Sequence, residues 1–143
     1  CFESYVAGPA IASQGQAAVD SGQSQILHEL SNKYQRPVTT QMVFEAEALG
    51  DPAAQAILEE VVRKLGISLS SMVNLLDLEM IVLGGGVWNG SPDFLDRVDR
   101  RVRQFCMTEE AKRDLIIVRE SFDNSALVGA GAYVFLQNKL VGF

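Results

Sequence analysis

Asn74-Leu75-Leu76-Asp77-Leu78-Glu79-Met80-Ile81-Val82-Leu83-Gly84-Gly85-Gly86 joins the end of a long apolar-periodic segment to a short apolar run and a triple glycine. Met80 to Leu83 is too short for a helix and shows no polar alternation, which predicts a parallel strand buried on both faces. The glycines stop that strand and let the chain turn sharply, with no Cβ to hold a ligand off the backbone. The carboxyl end of a parallel strand is where α/β sheets take their ligands. The same glycines also suit a plain strand-to-helix turn, and on local grounds both readings stand. The stretch is not a P-loop, because no Lys follows. As a dinucleotide fingerprint it is incomplete: Gly84 and Gly86 fit, while Asn89 stands where the third glycine belongs.

Upstream, Asp51-Pro52 opens the clearest helix, with Asp51 as N-cap and Pro52 at the first helical position. Ile57, Val61, Leu65, Leu69, Met72, Val73 and Leu76 recur at three- and four-residue spacing, and Leu58 and Val62 widen the stripe. Gly66 and several Ser predict close packing against another element. Residues 3–19 read as a helix interrupted at Gly8-Pro9, and Asp20-Ser21-Gly22 as a turn. Ile26 to Tyr34 reads as a short helix ended by Arg36-Pro37. Thr39 or Thr40 caps another through Leu49, which Gly50 closes.

Downstream, Ser91-Pro92 starts a helix with Phe94, Leu95, Val98, Val102 and Phe105 on its apolar face. Asp93, Asp96, Asp99, Arg97, Arg100, Arg101 and Arg103 are expected to form a solvated face of mixed sign rather than a basic patch. Leu115 to Val118 predicts a second buried strand. A last helix runs from Asn124 or Ser125 to about Asn138, with Leu127, Ala130, Val134 and Leu136 apolar. The class is therefore α/β with parallel strands. Two strands do not complete a sheet, so residues 1–143 are expected to be a single domain or a fragment of a larger α/β protein.

Composition sets the outer bounds. The chain has 143 residues, 48% hydrophobic and 21% charged, with a net charge of −6. That suits one domain and argues against non-specific binding of nucleic acid, whose phosphates need basic partners. No apolar run approaches the ~20 residues that span a bilayer. Two cysteines, Cys1 and Cys106, are too few for a disulfide framework, which suggests a reducing, cytoplasmic setting, although one pair could still form a bridge. The single histidine, His28, is expected on the surface, and Cys106 in the core. A chain opening on Cys1 is expected to be processed or a fragment. An acylated lipoprotein terminus would be followed by a polar tether, which Phe2 to Val6 do not resemble.

The segments, in order, resemble the C-terminal half of the ROK family (repressors, open reading frames and sugar kinases), of the glucokinase or N-acetylhexosamine kinase type. Cys1-Phe2-Glu3 is similar to the end of the family's Cys-x-Cys-Gly-x-x-Gly-Cys-x-Glu signature, and Ala7-Gly8-Pro9-Ala10 to its Ser-Gly-x-Ala. Gly50-Asp51-Pro52-Ala53-Ala54 resembles Gly-Asp-x-x-Ala. Residues 74–86 match Asn-x-x-Asp-Pro-x-x-Ile-Val-Leu-Gly-Gly-Gly, with Leu78 for the Pro. Leu127-Val128-Gly129-Ala130-Gly131-Ala132 resembles Leu-x-Gly-Ala-Ala, with Gly131 for an Ala. The family's Asp-x-Gly-Gly-Thr segment, its catalytic Asp and the remaining zinc ligands are not in this chain.

The resemblance implies a helix-rich C-terminal part of an actin-like ATPase, ribonuclease H-like lobe with a few parallel strands. It implies an ATP-dependent sugar kinase using Mg, of which this portion alone is inactive and holds no catalytic residue. In that picture Gly84, Gly85 and Gly86 line the nucleoside pocket, and Glu3 accepts hydrogen bonds from sugar hydroxyls. Cys1 ligates a structural zinc in the full-length protein. Asp51, Asn74 and Asp77 are expected as caps or turn residues. The expected partners are sugar, ATP, the N-terminal lobe and a second copy in a homodimer. The alternative is the sugar-sensing domain of a ROK repressor, and only then is nucleic acid a partner. A dinucleotide module of another family is a third class, which would need the complete glycine fingerprint.

Overall fold

The computed structural model describes residues 2–121 and 125–140. The first half is helical: α1 (Glu3–Val6), α2 (Gly8–Asp20), α3 (Gln25–Tyr34), α4 (Thr40–Ala48) and α5 (Pro52–Leu76). The interruption expected at Gly8-Pro9 falls at Ala7, whose extended backbone separates α1 from α2, while Pro9 sits in the first turn of α2. Helices α3, α4 and α5 each begin on a side-chain cap. Ser24 accepts from the Leu27 N–H, Thr39 from Met42 and Asp51 from Ala54. Thr39, not Thr40, caps α4, because the Thr40 hydroxyl donates to the Gly8 carbonyl at 2.6 Å.

The second half follows as β1 (Met80–Leu83), a 3₁₀ turn (Gly86–Asn89), α6 (Phe94–Phe105), α7 (Glu109–Asp114), β2 (Ile116–Arg119) and α8 (Ser125–Leu140). The two strands pair in parallel, Met80 opposite Ile116 and Leu83 opposite Arg119. The short helix α7 carries no apolar stripe, so sequence periodicity does not show it; Thr108 caps it.

The long helix α5 is the spine, with α2, α4 and α6 packed around it. Leu58, Val61, Val62, Leu65, Leu69 and Val73 are its buried line. Met72 and Leu76, read as part of that stripe, lie off the line and are exposed. Gly66 is needed for the approach of α6: a Cβ there would come within 2.2 Å of Arg101 Cγ. Phe94, Val98 and Val102 complete the core from α6, while Phe105 at its end is exposed.

Two expectations are corrected. The strands are not buried on both faces. Ile81, Leu83 and Ile117 pack against the helical core, but Met80, Val82, Ile116 and Val118 share an exposed face. Among the described residues nothing covers that face, and Leu127, Val134 and Leu136 of α8 are exposed as well. The polar side of α6 is also less solvated than expected. Arg97 donates to both Glu47 oxygens, at 2.8 and 3.0 Å, tying α6 to α4. Arg103 pairs with Asp99 and donates to the Lys112 and Leu115 carbonyls, at 2.5 and 2.7 Å, bridging α6 to α7 and its C-cap. Arg97 and Arg103 therefore join elements rather than merely facing water.

Candidate functional site

Leu83 is the last buried side chain of β1, and the chain leaves it through the three glycines. Gly85 adopts φ 101°, a conformation side chains rarely tolerate. Hydrogen bonds among the described residues hold the turn. The Glu120 N–H donates to the Leu83 carbonyl at 2.9 Å, and Gly85 N–H donates to Glu120 Oε1 at 2.7 Å. The Trp88 indole N–H donates to the Gly84 carbonyl at 2.9 Å. Trp88 is anchored in turn against Phe94, ring centroids 5.7 Å apart, and Phe94 meets Phe44 edge-on at 5.0 Å. Gly90 fits against this cluster only because it lacks a Cβ, which would lie 2.2 Å from the Phe44 ring.

A cleft of about 510 Å³ opens beside the turn. Gly86, Val87 and Gly90 form one wall, Gly8, Pro9 and Ala12 of α2 a second, and Val38 to Gln41 with Phe44 a third. Its size lies within the usual range for small-molecule sites, and its lining is apolar with a few polar groups, as such sites require. A shallower groove of about 450 Å³ lies on the open sheet face, between Met80, Val82, Gly84, Val118, Arg119, Glu120 and Ser121.

The structure thus separates the three glycines. Gly86 lines the cleft, Gly84 lines the groove, and Gly85 lines neither. Glu3 is exposed in the first turn of α1 and lines neither. Cys1 lies outside the described residues. His28 is exposed on α3, beside Asn32. Cys106 is buried at the end of α6, and burial pushes its thiol pKa up, which suits a core residue rather than a nucleophile. No cluster of three or more His, Cys, Asp or Glu able to hold a metal occurs among the described residues. They do not by themselves fit a zinc site. Nor is any helix among them long and apolar enough to cross a membrane.

Sequence reasoning passed over Gly8, Thr40, Gln41 and Phe44, which come to the cleft from two other helices, and Glu120, which reaches the turn from just after β2. The only local signal was Gly8-Pro9, read as a helix interruption. Asp51 caps α5 as expected, and Asp77 ends it at φ 52°. Asn74 does more than end a helix: its side chain donates to the Phe105 carbonyl at 3.0 Å and accepts from Met107 N–H at 2.9 Å, fixing the end of α6.

Known proteins are similar to this chain in sequence and fold. A beta-glucoside kinase from Klebsiella pneumoniae is 32% identical over 76 residues, covering 43% of this chain and 26% of that protein. A ROK family glucokinase from Streptomyces griseus, solved with glucose and AMPPNP, superposes with a TM-score of 0.69 at 22% identity. That match covers 83% of this chain and 39% of the glucokinase. A ROK family transcriptional regulator, a homologue of the Escherichia coli MLC protein, superposes with a TM-score of 0.66 at 23% identity, over 88% of this chain and 30% of the regulator. This chain therefore spans well under half the length of each. The fold is that of part of an actin-like ATPase. A sequence model of the ROK family matches residues 1–137, and with its glycine-ended strand and parallel pairing the chain belongs to the ROK family.

Proposed function

We propose that this chain is the C-terminal portion of an ATP-dependent sugar kinase, which transfers a phosphoryl group from ATP to a hydroxyl of a hexose or N-acetylhexosamine. The cleft is the observation that carries this reading. It sits at the carboxyl end of β1, and Gly86 offers it bare backbone, so a flat nucleoside can lie against the chain. Phe44, Val87 and Pro9 supply apolar contact for a base, while Thr39 and Gln41 supply polar groups at the rim. The kinase neighbours support ATP and sugar as ligands: one is a beta-glucoside kinase, another a glucokinase solved with glucose and an ATP analogue.

In this reading the residues bind and orient. Phosphoryl transfer is mostly positioning and charge stabilisation, and Gly84 to Gly86 place the nucleoside end of ATP. Glu3 holds a sugar hydroxyl, Cys1 serves a structural zinc, and neither carries a chemical step. The base, the Mg-phosphate contacts and the other zinc ligands belong to the N-terminal lobe. The protein is cytoplasmic and a homodimer.

Residues 1–143 alone should turn over no sugar in a coupled ATP assay, whereas the intact protein should approach a typical ~10 s⁻¹. Comparable turnover by the isolated chain rejects the incomplete-kinase reading. The regulator neighbour supports a second reading, a sugar-sensing domain of a ROK repressor. An intact protein that binds operator DNA and sugar but neither binds nor hydrolyses ATP would establish it.

Glu3→Gln in the intact protein should weaken sugar binding about tenfold, ~1.4 kcal/mol, because Gln keeps the shape but loses the charge that strengthens hydroxyl bonds. The melting temperature should hardly move, since Glu3 is exposed. Equal sugar dissociation constants for the two proteins would leave Glu3 as only a helix-start charge.

A further inference from the structure

We infer that Glu120 is a positioning residue for the nucleotide site, acting from behind the glycine turn; this rests on the nucleotide reading of the cleft. Glu120 follows β2 and does not line the cleft. Its Oε1 accepts the Gly85 N–H at 2.7 Å, across a sequence separation of 35 residues. Gly85 sits at φ 101°, which glycine adopts without strain, so its backbone freedom leaves its orientation to be fixed by the groups it bonds. A carboxylate accepting a backbone N–H makes a charge-assisted bond, about twice as strong as a neutral one. The bond therefore sets where Gly86, the next residue, presents its backbone to the cleft.

Gly84 is the matched partner of this arrangement. A Cβ on Gly84 would lie 2.7 Å from Glu120 Oε2 and 3.0 Å from Cδ, so the carboxylate occupies the space that the missing side chain leaves. Gly84 has no positive φ, so Ala is acceptable to its backbone. Gly84→Ala should then act by displacing the Glu120 carboxylate from Gly85. The glycine triplet consequently divides its work: Gly84 makes room for Glu120, Gly85 supplies the conformation, and Gly86 faces the cleft.

The test uses the intact protein, with an ATP analogue and sugar titrated separately by calorimetry. Glu120→Ala should weaken the analogue about tenfold, the scale of a lost charged hydrogen bond, with sugar affinity unchanged. Glu120→Asp keeps the charge but shortens the reach, and should behave like Ala. Glu120→Gln keeps a neutral acceptor at the same reach and should recover part of the affinity, about half of the lost free energy. Gly84→Ala should weaken the analogue by itself and add little to Glu120→Ala, the non-additivity expected of two changes at one contact. If Glu120→Ala does not fold, the contrast between Asp and Gln decides. Analogue affinity unchanged in the Ala or Asp variant overturns the inference while leaving the nucleotide reading in place. Wild-type protein that binds no analogue overturns the nucleotide reading and this inference with it.

Discussion

Gly85→Val in the intact protein should lower ATP affinity by about tenfold to a hundredfold and leave sugar affinity level. The cause is conformational rather than steric. A Cβ at Gly85 meets nothing within 4 Å, so it fills open space. The backbone, however, sits at φ 101°, where a β-branched residue is a genuine outlier. Holding Val there costs roughly 1–3 kcal/mol, and the turn escapes that cost by relaxing away from the geometry that Glu120 and Trp88 impose. Relaxation moves Gly86 relative to the cleft wall and takes the nucleoside contact with it. Gly86→Ala separates the two effects. Gly86 has no positive φ and open space around its Cβ position, so Ala costs little in folding. Loss of ATP affinity in that variant reports a ligand lying against the backbone. Calorimetry on folded variants checks both, and unchanged ATP binding in Gly85→Val would make the triplet a plain turn.

Asp51→Ala should be strongly destabilising, by about 2–4 kcal/mol, because one carboxylate serves two helices. Asp51 Oδ1 accepts the Ala54 N–H at 2.8 Å and caps α5, while Oδ2 accepts the Ser24 hydroxyl at 2.6 Å. Ser24 in turn caps α3 through Leu27 N–H at 3.0 Å. Both residues are only 2% exposed. Removing Asp51 loses a cap worth about 1 kcal/mol and leaves the buried Ser24 O–H donor without its acceptor, at about 1–3 kcal/mol. The melting temperature of the intact protein should fall by about 3–6 °C. Ser24→Ala combined with Asp51→Ala should cost less than the sum of the single changes, since the orphaned hydroxyl is then gone. A loss below about 0.5 kcal/mol in Asp51→Ala, the range of an ordinary surface change, would mean that water replaces the carboxylate.

Local signals determined the elements and several of their ends. Asp51-Pro52 specified the start of α5 because an N-cap and a first-turn proline act within four residues of chain. The 3–4 spacing from Ile57 to Leu76 identified the buried side of α5 except at Met72 and Leu76, and the Met80–Leu83 and Leu115–Val118 runs located β1 and β2, the second one residue early. The ordered motifs also sufficed to place the chain in the ROK family, since they carry order and spacing that no single segment holds.

Tertiary structure alone decided which apolar faces are covered and what surrounds the glycines. Met80 and Val82 read as buried because an apolar run records only its own hydrophobicity, not whether a layer lies against each face. Arg97 read as solvated because Glu47, its partner, is 50 residues away. The same holds for the site. Gly8, Thr40 and Gly86 share no local pattern, and Glu120 follows β2 with nothing in its neighbours to link it to Gly85. Capping and periodicity act over one or two turns of chain, so a sequence displays them directly. A cleft wall and a carboxylate behind a turn exist only after distant segments pack, and packing is set by the complementarity of whole surfaces.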